Sequence, residues 1–103
     1  MKSNALRKAA KGQECTFHIA GICSCDNETT VLCHVQVDGG IMGGKPSDLG
    51  STAFGCSNCH DAIDGRVYSY EYDDHRWFYN CRAIVRTLNK LFDMGVITVS
   101  GIK

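Results

Sequence analysis

An α+β fold is predicted for this 103-residue sequence by three features. A β-prone run from Thr29 to Val37 is followed by a glycine-rich loop and a second short apolar segment. A Cys-x-x-Cys-His step, Cys56 to His60, makes a tight turn ahead of a short helix. A long apolar stripe at helical spacing then fills the last third. The order strand, loop, strand, turn, helix is a ββα unit, and the C-terminal amphipathic helix packs on it.

Taken in order, Leu6 to Lys11 reads as a short basic helix or turn that Gly12 ends. Cys15 to Cys25 holds three cysteines among glycine and polar residues, the composition of a loop held by something other than its own backbone. Thr29 to Val37 is rich in β-branched residues and reads as a strand, with His34 opposite the more apolar set of alternating side chains. The stretch from Gly39 to Gly50 contains five glycines and the only proline, and reads as a long loop of the kind that carries function. Ser51 to Phe54 is the return strand. Ser57 or Asn58 caps a helix through Ile63, closed by Gly65. Trp77, Cys81, Ile84, Leu88 and Leu91, flanked by Phe78, Val85 and Phe92, form the stripe of a helix over about 74–94. Asp73 or Asp74 starts it and Gly95 ends it, and Val96 to Val99 reads as a last strand. The length fits one domain, residues 1–103, with its core motif over about 15–66.

Composition narrows the classes. Seven cysteines, an odd number, cannot all be paired in disulfides. The N-terminus has charge but no apolar signal core, and no run reaches transmembrane length, so a cytoplasmic setting with reduced thiols and no membrane is expected. Clustered reduced cysteines read as metal ligands. Cys56 and Cys59 supply one thiolate pair for a tetrahedral zinc ion, and Cys15 and Cys23 the second, although Cys25 can stand in for Cys23. The Cys56–His60 step also matches a haem attachment pattern, with Met42 or Met94 as axial ligand, but that needs export. A thioredoxin-like redox pair needs a βαβ unit, which the sequence lacks.

The formal net charge is zero, but its distribution is uneven. Arg7, Lys8 and Lys11 crowd one end, and Arg82, Arg86 and Lys90 recur every fourth residue near the other. These six are the candidate contacts to nucleic-acid phosphates. His34 is the candidate general base, since imidazole exchanges a proton near neutral pH. His60 and Asp61, at the start of the short helix, are the candidate ligands of a second, catalytic divalent ion. Asp64 reads as a capping residue, and Asp48 as either a partner that orients His34 or a turn residue. His18 and His75 stand outside any motif.

The arrangement Leu32-Cys33-His34, Gly39-Gly40, Asp48-Leu49 and Cys56-x-x-Cys59-His60 resembles the HNH, or His-Me finger, nucleases with their ββα-metal core. With Leu6 to Ala10, Cys15, Ile19-x-Gly21-x-Cys23 and Cys59 to Arg66, it is similar to a family of small predicted nucleases of lambdoid phages and prophages. The resemblance covers roughly Leu6 to Arg66. It implies an endonuclease that hydrolyses DNA phosphodiester bonds. His34 would be the base, His60 would bind Mg²⁺ or Mn²⁺, and Asp48 would take the central asparagine position. Cys15, Cys23, Cys56 and Cys59 would hold a structural zinc. Cys33 departs from the pattern, where an acidic metal ligand is common. That departure keeps open a catalytically inactive zinc-bound module that binds nucleic acid or protein. The sequence is also compatible with a homo-oligomer.

Overall fold

Within the described part of the β-prone run the strand begins at Val31, two residues later than expected. In the computed structural model, which describes residues 3–35 and 51–101, β1 is Val31–His34 and β2 is Thr52–Gly55. They pair antiparallel with Leu32 opposite Phe54 and His34 opposite Thr52. Thr29 leaves the strand because local hydrogen bonds win over its β propensity. The Asp26 carboxylate accepts the Glu28 N–H at 3.0 Å, and the Thr29 hydroxyl donates to the Asp26 carbonyl at 3.0 Å, winding Asn27–Thr29 into a 3-10 turn.

Among the described residues four α-helices accompany this strand pair: α1 (Ser3–Ala10), α2 (Ser57–Ile63), α3 (Tyr70–Asp74) and α4 (Arg76–Asp93). Helix α1 is more than a basic segment. Its inner face buries Leu6, Ala9 and Ala10 in a cluster with Leu32, Phe54 and Leu91. A second cluster lies on the other side of the strand pair, where Phe17, Ile19, Cys33 and Ala53 meet Tyr79, Ala83 and Ile84. Every residue of β2 is buried, so its outer edge needs partners for its backbone. Helix α4 and the Cys15 loop supply them. The Phe54 N–H donates to Thr87 Oγ1 at 3.0 Å, and the Phe54 carbonyl accepts from the Thr16 hydroxyl at 2.6 Å and the Thr16 N–H at 2.9 Å.

That arrangement corrects the expected stripe of α4. The face turned inward carries Tyr79, Asn80, Ala83, Ile84, Thr87 and Leu91. Trp77, Phe78, Cys81, Val85 and Phe92 are exposed. Two polar residues are buried because both are bonded: Thr87 to β2, and Asn80 Oδ1 to the Tyr72 hydroxyl at 2.9 Å. The helix also starts later than expected. Ser69 caps the separate α3 by accepting the Tyr72 N–H at 3.1 Å, and His75 breaks the two helices apart.

Gly95 does end α4, at φ +77, with its N–H on the Phe92 carbonyl and the Val96 N–H on the Leu91 carbonyl. This pair of bonds is a Schellman turn. It folds Val96 and Ile97 back onto the Leu6–Phe54 cluster, so the expected final strand over Val96 to Val99 is a turn and an irregular segment. Among the described residues no helix is long and apolar enough to cross a membrane.

Candidate functional site

Helix α2 organises the chemistry at both of its ends. At its start Cys56 is the N-cap, with Sγ accepting the Cys59 N–H at 3.4 Å and the Ser24 N–H at 3.5 Å. The helix N-terminus favours a thiolate there. Cys59 sits one turn on, and the Cys15–Cys25 loop brings Cys15 and Cys23 against the pair. The four Sγ atoms all lie within 4.8 Å of one another, with Cys56 and Cys23 3.8 Å apart. Four sulfurs at ~2.3 Å on a tetrahedral ion stand about 3.8 Å apart, so the donor set and its spacing fit a structural metal such as zinc.

Without a cation such a cluster is electrostatically awkward. A hydrogen bond from Cys59 holds the Cys15 thiol down to about 4 from its usual 9.0, and the same bond drives Cys59 far upward. Burial pushes Cys23 up to about 12. The Cys15 thiolate is thus sustained by the proton of Cys59, and a divalent cation is what lets all four ionise together. Cys25 is exposed beside this set, its Sγ 3.9 Å from that of Cys23.

The other end of α2 meets β1. His34, at the end of the strand, lines a cleft of about 330 Å³ with Ile63, Asp64, Tyr72, Arg76 and Asn80. Cys33 points the opposite way into the core, fully buried beneath Phe17, and burial pushes its thiol well above the usual range. His60 does not meet Asp61. Its Nε2 lies 3.1 Å from Asp64 Oδ2, because residues four apart share one helix face. Asp61 is instead held by Arg66, whose Nε donates to Oδ1 at 3.0 Å. A second Schellman turn, with Gly65 at φ +81, carries Arg66 back over the helix, and its Nη2 also reaches Asp64 Oδ2 at 3.0 Å.

Asp48 lies outside the described residues. Arg7, Lys8 and Lys11 are exposed around the outer face of α1. Arg82, Arg86 and Lys90 line a different cleft, of about 560 Å³, that shares no residue with that of His34. Two of these cations brace the cysteine loop: Arg82 Nη2 donates to the Phe17 carbonyl at 2.7 Å and Arg86 Nη1 to the Thr16 carbonyl at 3.4 Å. The cation beside His34 is Arg76, which the sequence reading did not single out. Asp64, read from the sequence as a capping residue, lines the same cleft as His34 and pairs with His60, and its spacing of four from His60 was the available signal.

Comparison with known proteins agrees on one kind of relative. Residues 4–96 match the family described as "Putative nuclease YbcO". A protein of Escherichia coli K12 with that description is 48% identical over 64 residues, covering 61% of this chain and 66% of its own length. The "Putative nuclease ybcO" of Enterobacteria phage 82 matches to the same extent. A solved structure of "a putative bacteriophage protein from Escherichia coli str. K-12 substr. MG1655" superposes with a TM-score of 0.70 at 35% identity, covering 88% of this chain and 100% of that one. On the match over residues 4–96, the chain belongs to the YbcO family.

Proposed function

We propose that this chain is a metal-dependent endonuclease of the HNH type that hydrolyses DNA phosphodiester bonds in the cytoplasm of a host cell. The observation that carries this reading is the single cleft shared by His34 and Asp64, with His60 on the Asp64 carboxylate. The relatives' description as nucleases agrees with it. A scissile phosphate needs a base on one side and positive charge on the other, and this cleft offers both kinds of group.

In the proposed reaction the His34 imidazole takes the proton of a water molecule aimed at phosphorus. His60 and Asp64, one imidazole nitrogen and one carboxylate oxygen, are a donor set suited to a divalent ion such as Mg²⁺ or Mn²⁺. That ion would supply charge for the transition state and the leaving oxygen. Arg76, exposed at the mouth of the cleft, holds a non-bridging phosphate oxygen. Tyr72 and Asn80, bonded to each other, form a fixed wall. In this scheme Asp48, which lies outside the described residues, would be the residue that orients His34. The cysteine tetrad would hold a separate zinc ion, which would keep α2, with His60 and Asp64, aligned on β1. Asp64 in this scheme provides the carboxylate that Cys33, turned into the core, does not.

One observation favours the rival reading of an inactive zinc-bound interaction module. The Asp64 carboxylate already has two internal partners, the His60 ring at 3.1 Å and the Arg66 guanidinium at 3.0 Å. Cleavage of supercoiled plasmid and branched DNA with Mg²⁺ or Mn²⁺, comparing wild type with His34→Ala at equal zinc content, separates the two. Cutting by the wild type alone supports the nuclease. No cutting of any substrate with any metal leaves the binding module.

A further inference from the structure

We propose a second metal site, for a soft divalent cation such as Zn²⁺ or Cd²⁺, formed by His18, Cys23 and Cys25, with Cys23 bridging it to the cysteine tetrad. His18 Nδ1 lies 3.8 Å from Cys23 Sγ, and Cys25 Sγ lies 3.9 Å from the same atom. The three donor atoms all fall within 4.8 Å of one another. Nitrogen and sulfur on one tetrahedral ion stand about 3.6 Å apart, and two sulfurs about 3.8 Å, so small side-chain movements complete the site.

Two further observations point the same way. The other ring nitrogen of His18, Nε2, lies 3.6 Å from the Glu14 carboxylate. A small shift of Glu14 would let it accept the Nε2 proton, which would leave Nδ1 as the lone-pair donor toward the metal. The backbone is also unusual at these two ligands: His18 and Cys25 are the non-glycine residues with positive φ among the described residues, at 47° and 57°. The side chains at both positions converge on Cys23 Sγ.

The two sites differ in character. Cys15, Cys56 and Cys59 are buried, which makes the first ion a closed, structural one. His18 is half-buried and Cys25 exposed, and three protein ligands leave a fourth position to solvent. Such an ion exchanges readily, whereas the first does not. A thiolate can bridge two soft cations, so occupying the second site does not empty the first.

The test is the metal content of the full chain, dialysed under reducing conditions against buffered free Zn²⁺ and, separately, Cd²⁺. Two ions per chain are expected for the wild type, and one for Cys25→Ser and for His18→Ala, each with an unchanged circular dichroism spectrum. Glu14→Gln is expected to retain both ions but weaken the second by about 10- to 100-fold, the usual cost of losing such a carboxylate. With Co²⁺, the second equivalent adds thiolate charge-transfer absorption in the wild type and not in Cys25→Ser. One ion in the saturated wild type overturns the proposal, as do two ions in His18→Ala. Loss of both ions in Cys25→Ser also overturns it, since Cys25 would then serve the first site.

Discussion

His60 Nε2 stands 3.1 Å from Asp64 Oδ2 on one face of α2, while Asp61, one residue away, is turned to Arg66. The two carboxylates are therefore expected to differ sharply in effect. Asp64→Asn removes an oxygen from the proposed ion site and lowers Mg²⁺-dependent cleavage by about 100-fold or more, the scale of losing one transition-state charge contact. Asp61→Asn removes only an exposed ion pair, worth up to ~1 kcal/mol, and leaves the rate within about fivefold. Steady-state cleavage of one plasmid substrate decides it. The reverse ranking would return the ion to His60 and Asp61.

Removing the tetrad's metal should be far more damaging than any change in the His34 cleft. Cys15, Cys56 and Cys59 are among the most buried residues, at the centre of the larger core cluster. Structural zinc in small domains is worth on the order of 10 kcal/mol, comparable with the whole stability of such a fold. A chelator with a reductant should unfold the chain, and added Zn²⁺ should restore it. Cys59→Ser should fold poorly at any zinc concentration. Because all four thiols must lose protons to bind, affinity falls as pH falls. Circular dichroism with and without chelator is sufficient, and a chelated chain that keeps its fold and melting temperature would contradict the expectation.

The cysteine tetrad was legible in the sequence because its signal is local: a Cys-x-x-Cys step, and a second group of cysteines in a segment too polar to be core. The ββα order was legible for the same reason, from β-branched runs and glycine breaks. The phase of α4 was not. Trp77, Phe78 and Val85 look like core residues and are exposed, whereas Asn80 and Thr87 look like surface residues and are buried. What decides their positions is a tertiary bond that each accepts, Asn80 from the Tyr72 hydroxyl and Thr87 from the Phe54 N–H, and no local pattern carries it. Val96 and Ile97 show the converse. Their β-branched side chains suggest a strand, but the Schellman turn at Gly95 aims them at the Leu6–Phe54 cluster. Packing between separate elements, which a single-element pattern does not record, hid these relationships.

Two of the four tyrosines should ionise late. Burial foremost raises Tyr72 above its usual 10.0. Burial foremost, followed by its 2.7 Å hydrogen bond to the Glu71 carboxylate, raises Tyr79. Each is neutral more readily when folded than unfolded. Their contribution to stability is therefore complete below pH ~10 and is lost as pH rises through the folded-state values. Absorbance titration of tyrosinate should show these two lagging in the native chain and joining the others in denaturant. Tyr72→Phe and Tyr79→Phe should each remove one late component. Four tyrosines titrating together in the native chain would remove the basis for alkaline destabilisation.

Gly55 has no room for even a methyl group. A Cβ there would meet Cys33 Sγ at 2.8 Å and Phe17 Cδ2 at 2.9 Å. Neither neighbour can retreat, since both are fully buried, Cys33 on the paired strand and Phe17 on the loop that carries Cys15. Overpacking of this kind costs about 1–3 kcal/mol. In a chain of this size that lowers the melting temperature by roughly 4–8 °C for each kcal/mol. Gly55→Ala should accordingly shift the urea midpoint down without changing the slope. Cys33→Ala in the same chain removes the closer contact but leaves the Phe17 ring, so the double variant should recover part of the loss and not all of it. If Gly55→Ala were neutral, β2 would have to slide or tilt against β1, and His34 opposite Thr52 would move with it. Comparing cleavage rates in the single and double variants would then show whether the strand pairing positions the base.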